Sequence, residues 1–260
     1  MKNTKVYLMS TENVKDPRTF SSWKEFLPKE RWEKTVRPLK EEDRKTELAA
    51  WFLLYQALRE WGISEEKINA DGAYYYGEHG KPMRRNEEVC FNLSHSGKYV
   101  LCAVSEMEIG CDIEKIKEVK WKLAKRFFSE KEYDFLVRPG RQEKLMKQGK
   151  VGKQQNINRQ KEKGKIKENA YTVEEAFTRF WVLRESYVKK TGEGLGAALT
   201  GLDFSDILGQ KNSKGKKNGE FLEETFFEME YDGYRIAICG EKDSKPEFVV
   251  YRGTIDNCFL

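Results

Sequence analysis

The chain has 260 residues, of which 38% are hydrophobic, 35% charged and 13% aromatic. That is enough for one large or two small packed units, and too aromatic for a disordered chain. The net charge of +5 does not mark a nucleic-acid binder, because residues 138–169 hold eleven Lys or Arg against three Glu, leaving the rest of the chain at −3. That basic segment has no aromatic side chain on which a base could stack.

No apolar run approaches the ~20 residues of a membrane helix. The start, Met1 to Ser10, lacks the apolar core of a signal peptide. A cytoplasmic protein with no membrane partner is therefore expected. Cys90, Cys102, Cys111, Cys239 and Cys258 are odd in number and form no C-x-x-C pair, so reduced and mostly buried thiols are expected.

In chain order, Val6 to Met9 reads as a short strand. Trp23 to Leu39, with Pro28 and Pro38, holds a short helix between turns. Glu41 to Trp61 is a helix: Leu48, Trp51, Phe52, Tyr55 and Leu58 recur at three- and four-residue spacing, and Gly62 stands where a cap belongs. Three strands follow at Glu88 to Leu93, Tyr99 to Ser105 and Ile109 to Ile113, with spacers short enough for hairpins. Trp121 to Phe128 and Ser129 to Val137 read as helical pieces, the second with Ser129 and Glu132 as a capping box. Arg138 to Asn169 reads as a mobile basic loop. Thr172 to Thr191 is a second strong helix, with Ala176, Phe180, Leu183 and Tyr187 on one stripe. Strands at Thr225 to Tyr231 and Tyr234 to Ile238 follow a polar linker at Gly209 to Glu220. The order predicts an α+β fold of two similar halves, divided near Ser105 to Ile109.

Four segments carry chemistry. Asp112 and Glu114 alternate on a strand and so project to one side, where two carboxylates repel each other unless a cation separates them. Oxygen ligands on a rigid strand suit Mg²⁺, although two solvated acids at a strand end would look the same. Trp181, Glu185 and Lys189 stand four apart on one helix face, as an ordinary surface Glu–Lys pair also would. In Phe91-Asn92-Leu93-Ser94-His95-Ser96-Gly97, His95 stands beside two hydroxyls at a strand end. This could be an anion site, a base or a polar turn, but a Ser–His hydrolase fits poorly because no nucleophile elbow is present. Gly80-Lys81-Pro82 presents a cation on a restricted turn.

Taken together and in this order, the chain resembles the 4′-phosphopantetheinyl transferases of the surfactin-synthetase-activating type. The resemblance rests on G-K-P at Gly80 to Pro82, F-N-x-S-H-S at Phe91 to Ser96, and I-G-x-D-I-E at Ile109 to Glu114. It continues through K-R-F-F-S-x-x-E-Y at Lys125 to Tyr133 and W-x-x-R-E-S-Y-x-K-x-x-G-x-G-L at Trp181 to Leu195. It spans roughly Thr46 to Leu195.

The resemblance implies a monomer of two pseudo-symmetric α+β halves, residues 1–106 and 107–260, each with a small antiparallel sheet packed on helices. The basic insertion at about 138–169 interrupts the second half and is longer than the family leads one to expect. Coenzyme A would lie between the halves. Asp112 and Glu185, with Glu114 directly or through water, would hold Mg²⁺ on its diphosphate. Glu185 would take the proton of the carrier serine, and Lys189 would neutralise the departing adenosine 3′,5′-bisphosphate. Lys45, Lys81, Ser94 and His95 would meet the nucleotide phosphates, with Pro82 on the same turn. Arg184 stands where the family usually has Lys and would join the coenzyme A contacts, although its planar fork meets phosphate differently. Glu132 matches a recurrent family acid.

The implied partner is an acidic apo carrier protein of fatty-acid, polyketide or nonribosomal-peptide synthesis. The charge of the basic insertion would suit electrostatic capture of such a carrier, and equally a disordered, solvated insertion with no specific role. The rival readings are a catalytically inactive module that binds coenzyme A or a carrier protein, and a nucleic-acid binder driven by the basic loop.

Overall fold

The computed structural model describes residues 3–19, 24, 27–85, 89–137, 171–194, 196, 199–208, 214–242 and 246–251. The basic segment expected to form a loop at 138–169 lies outside the described residues. So does Cys258.

The first half is built on strand β1 (Thr4–Ser10) and helices α1 (Lys29–Val36), α2 (Glu41–Glu60) and α3 (Glu65–Asn69). A hairpin follows, of β2 (Tyr74–Tyr76) and β3 (Pro82–Arg84), and then β4 (Cys90–Ser96) and β5 (Tyr99–Ser105). Helix α2 opens with Glu41, Glu42 and Asp43 at the positive end of its dipole. It ends before Gly62, whose φ of +90° only glycine adopts freely. Leu48, Trp51, Phe52, Tyr55 and Leu58 are buried, as their spacing predicts.

The second half holds β6 (Gly110–Lys115), α4 (Trp121–Phe127), α5 (Glu130–Val137) and α6 (Val173–Thr191). It continues through the short β7 (Leu202–Asp203), β8 (Lys216–Lys217) and β9 (Glu220–Phe221), then β10 (Thr225–Tyr231), β11 (Tyr234–Gly240) and β12 (Glu247–Tyr251). Helix α6 is fixed at its start by a capping box between Thr172 and Glu175, and at its end by Gly192 in the left-handed region. The box expected at Ser129 and Glu132 is present: the Ser129 N–H donates to Glu132 Oε2 at 2.7 Å and the Glu132 N–H to Ser129 Oγ at 3.3 Å.

The strands form two principal sheets, in the orders β12-β1-β5-β4 and β10-β11-β6. All pairings in them are antiparallel except that of β1 with β12. The result is four layers, helix on sheet on sheet on helix. On β5, Val100, Cys102 and Val104 face α2, whereas Leu101 and Ala103 face the other sheet and meet Cys111, Ile113, Ile236 and Ile238 there. On β11, Ala237 and Cys239 turn toward α6. A strand buried on both faces reads as a continuous apolar run, which is why β5 is Tyr-Val-Leu-Cys-Ala-Val-Ser.

The structure departs from the sequence reading in three places. The Ser94-His95-Ser96 run lies within β4, and the turn falls one step later at Gly97-Lys98. The segment read as a polar linker contains β8 and runs into β9, and the two strands join β7 in a small sheet. The last described strand, β12, crosses back to extend the sheet of the first half.

Candidate active site

Strand β6 is an edge of its sheet, so half of its N–H groups have no backbone partner. Side chains of β4 take them. The Cys111 N–H donates to Asn92 Oδ1 at 2.9 Å, that of Ile113 to Ser94 Oγ at 3.3 Å and that of Lys115 to Ser96 Oγ at 3.1 Å. Alternate residues of one strand thus serve alternate residues of the other, and the two sheets are stitched along this seam.

The two serine hydroxyls spend their protons on the neighbouring carboxylates. Ser94 donates to Asp112 Oδ1 at 2.8 Å and Ser96 to Glu114 Oε2 at 2.9 Å.

Helix α6 supplies the other wall. At Gly110 it comes so close that a Cβ would stand 1.9 Å from the Ser186 carbonyl oxygen and 2.4 Å from the Lys190 nitrogen. Only glycine permits this approach, which brings Lys189 Nζ to 2.6 Å from Asp112 Oδ1 and 3.0 Å from Ser94 Oγ. Burial draws the Lys189 ammonium down, but the Asp112 carboxylate more than offsets that and holds it above its ordinary value. One helical turn earlier, Glu185 is buried, and its carboxyl is pushed up to about 7. Burial is the main cause, the charges of Asp112 and Glu114 add to it, and Lys189 opposes it.

Asp112 and Glu185 therefore share the Lys189 ammonium, and Glu114, whose own neighbour is Lys117 at 3.9 Å, adds a third carboxylate beside them. Asp112 Oδ2 is buried and has no hydrogen-bond partner. An orphaned carboxylate oxygen beside surplus negative charge fits a hard divalent cation with oxygen ligands, and Mg²⁺ keeps several waters or phosphate oxygens beside one or two protein carboxylates. Among the described residues no three His, Cys, Asp or Glu side chains converge as a ready-made metal cage. Lys189 already compensates one oxygen of Asp112.

The other residues singled out in the sequence are distributed more widely. Lys81 donates to Glu108 Oε2 at 2.9 Å and to the Lys190 carbonyl at 3.2 Å, which puts it at the C-terminal end of α6. It edges a cavity of about 320 Å³ that Met83, Arg84, Phe91 and Met107 help to line. Pro82 opens β3 opposite Tyr76. His95 is exposed and alternates away from the seam. Lys45 is paired with Glu41 along α2 at 2.5 Å.

Arg184 requires a correction. It was expected among the coenzyme contacts, yet it is wholly buried and ion-paired with the equally buried Glu132. Three further N–H groups donate to the carbonyls of Phe127, Phe180 and Leu202. Its guanidinium also lies over the Phe128 ring, 4.5 Å from the centroid. No ligand can reach a side chain so enclosed, and the chamber engages four of the five donors of its planar fork. Glu132 likewise faces inward and accepts from the Phe204 N–H at 2.8 Å.

The sequence reading missed Asn92 and Ser96 as residues that stitch the seam behind the site. The available signal was polar residues at period two, Asn92, Ser94 and Ser96, on a strand whose alternate position Phe91 is core.

These features define an α+β protein whose polar centre lies on a seam between two small sheets, against a long helix. Residues 108–239 match the 4′-phosphopantetheinyl transferase superfamily. The chain is 27% identical over 226 residues to the 4′-phosphopantetheinyl transferase Sfp of Bacillus subtilis (strain 168), covering 85% of each chain. It is 29% identical over 226 residues to the transferase ffp of Bacillus subtilis, again over 85% of each. With HetI of a Nostoc species it shares 31% over 141 residues, 52% of this chain and 46% of that one. The chain belongs to the 4′-phosphopantetheinyl transferase superfamily and is an enzyme of that kind. No helix among the described residues is long and apolar enough to cross a membrane.

Proposed function

We propose that the protein transfers the 4′-phosphopantetheine moiety of coenzyme A to a serine hydroxyl of an acidic apo carrier protein, acyl, peptidyl or aryl. The products are the holo carrier and adenosine 3′,5′-bisphosphate. The serine oxygen attacks the phosphorus that bears pantetheine, the bond to the adenosine-side phosphate oxygen breaks, and the hydroxyl proton leaves to a carboxylate. The observation that carries this reading is the shared centre of Asp112, Glu185 and Lys189, with one carboxylate oxygen left unpartnered.

Asp112, Glu185 and Glu114 would hold Mg²⁺, which supplies charge neutralisation on the diphosphate. Glu185, with a carboxyl near neutrality, is suited to accept the serine proton. Lys189 is the cation for the phosphate that departs. Lys81, Pro82, His95 and Lys45 would form the outer contacts to coenzyme A, while the hydroxyl of Ser94 is engaged by Asp112, Lys189 and Ile113. We take the protein to be a cytoplasmic monomer divided near residue 106, each half contributing one wall of the site.

The test is the intact mass of apo carriers from fatty-acid, polyketide and peptide synthesis after incubation with the protein, coenzyme A and Mg²⁺. A gain of one phosphopantetheine unit, abolished by EDTA, is expected. A folded protein that modifies none of them contradicts the proposal and favours a binding module.

A further inference from the structure

The geometry points to Ser96 as a positioning residue for Glu114, holding that carboxylate toward the metal through a hydroxyl that β6 itself locks in place. The inference rests on the metal centre proposed above and adds a residue that touches neither substrate nor cation.

Register sets the arrangement. Ser94 accepts the N–H of Ile113 and donates to Asp112; Ser96 accepts the N–H of Lys115 and donates to Glu114. Each serine is thus bonded to the N–H nineteen residues ahead and to the carboxylate eighteen residues ahead. Continuing the same register backwards, Asn92 accepts the N–H of Cys111, but the position eighteen ahead is Gly110, which has no side chain to orient. There the seam uses an amide. Where a carboxylate faces it, the seam uses a hydroxyl.

The choice has a physical reason. A hydroxyl has one proton and two lone pairs, so accepting from a fixed backbone N–H turns its proton into a defined direction. Alanine at 96 would leave the Lys115 N–H without its partner and Glu114 free to rotate. Ser96 is itself buried, whereas Glu114 is only half-buried, with Lys117 3.9 Å from the same oxygen that Ser96 holds. Without the serine, Glu114 is left to that lysine and to water. Side chains that orient metal ligands from behind affect metal affinity strongly, about 10–100-fold when removed.

The experiment is a Mn²⁺ titration of the full-length protein with coenzyme A, read by the loss of the free-ion electron paramagnetic resonance signal. Ser96→Ala should weaken Mn²⁺ binding about 10-fold. Ser96→Thr, which keeps the hydroxyl, should bind within about threefold of wild type. Asn92→Ala, which loosens the same seam but faces no carboxylate, should leave Mn²⁺ affinity within about twofold. In a Glu114→Ala background, Ser96→Ala should add less than a further twofold, because its target is gone.

Wild-type affinity in Ser96→Ala, equal weakening in Ser96→Ala and Asn92→Ala, or a full additional loss in the Glu114→Ala background would each overturn the inference while leaving the metal centre standing. If wild type itself fails to bind Mn²⁺, or binds it as well after Asp112→Ala, the metal centre falls and the inference with it. Should Ser96→Ala not fold, the comparison of Ser96→Thr with Ser96→Cys, whose thiol is a poor donor, decides in the same terms.

Discussion

Among the ion pairs that hang from α6, those of Arg184 and Lys189 lie five residues apart, which is about 7.5 Å along the helix and roughly 140° around it. Arg184–Glu132 is shut off from water on every side, and the carbonyls of Phe127, Phe180 and Leu202 take up three further guanidinium donors. Lys189–Asp112 is half-open. It lies beside two further carboxylates, and one Asp112 oxygen is bonded to nothing. The first pair is complete as it stands, so its work is to join α4, α5, β7 and α6. The second is incomplete in charge and in hydrogen bonding, and that incompleteness is the mark of a site that takes a ligand. Sequence alone does not separate them, since Arg184 directly precedes the motif residue Glu185 and so reads as a ligand contact too.

The largest effect is expected at the closed pair: Glu132→Ala or Arg184→Ala strands a buried charge and should cost about 3–5 kcal/mol of stability, measured by urea unfolding. A loss under 1 kcal/mol would mean the pair is not the clamp described. Gly110→Ala should cost about 3 kcal/mol by forcing β6 off α6. Because the same displacement moves Asp112 from Lys189, the folded fraction should also lose transfer activity.

Glu185 sharpens the contrast through pH. Its carboxyl is raised from 4.5 to about 7, so the folded state holds that proton more tightly than the unfolded chain does. The resulting stabilisation is complete below pH 4.5 and is lost as pH rises to about 7, beyond which the metal-free fold carries a buried charge. Metal-free Glu185→Gln should therefore be more stable than wild type at pH 8 by on the order of 1–3 kcal/mol and about equal to it at pH 4. Mg²⁺ with coenzyme A should raise the wild-type midpoint at pH 8 and leave that of Glu185→Gln nearly unmoved. Equal urea midpoints for the two proteins at both pH values would remove the electrostatic part of the account. The smallest effect is at the seam: Asn92→Ala should cost about 1–2 kcal/mol for one unpartnered buried N–H.

Much of this was legible in the sequence, for identifiable reasons. Helices α2 and α6 announce themselves because their apolar residues keep a 3.6 period and a glycine follows the C-terminus of each, with a capping box at the start of α6 as well. Asp112 and Glu114 fall on one side of β6 because strands alternate, and Glu185 and Lys189 share a helix face because four residues is nearly a turn. What could not be read was anything set by pairing across distance. The return of β12 to β1 is a contact between the two ends of the chain. The seam depends on which edge strand of one sheet meets which edge of the other, and local pattern does not encode that. Arg184 was misplaced for a related reason: it precedes Glu185 in sequence, but 100° of helical rotation sends the two side chains to different environments.

The half-open pair is assigned to function and the closed pair to structure. The most direct test is carrier loading by Asp112→Ala and Arg184→Lys beside wild type, at a temperature where circular dichroism shows all three folded. We expect Asp112→Ala to lose at least about 100-fold in rate, and Arg184→Lys, though less stable, to load the carrier within about threefold of wild type. A folded Asp112→Ala that still transfers, beside a folded Arg184→Lys that does not, would contradict the assignment.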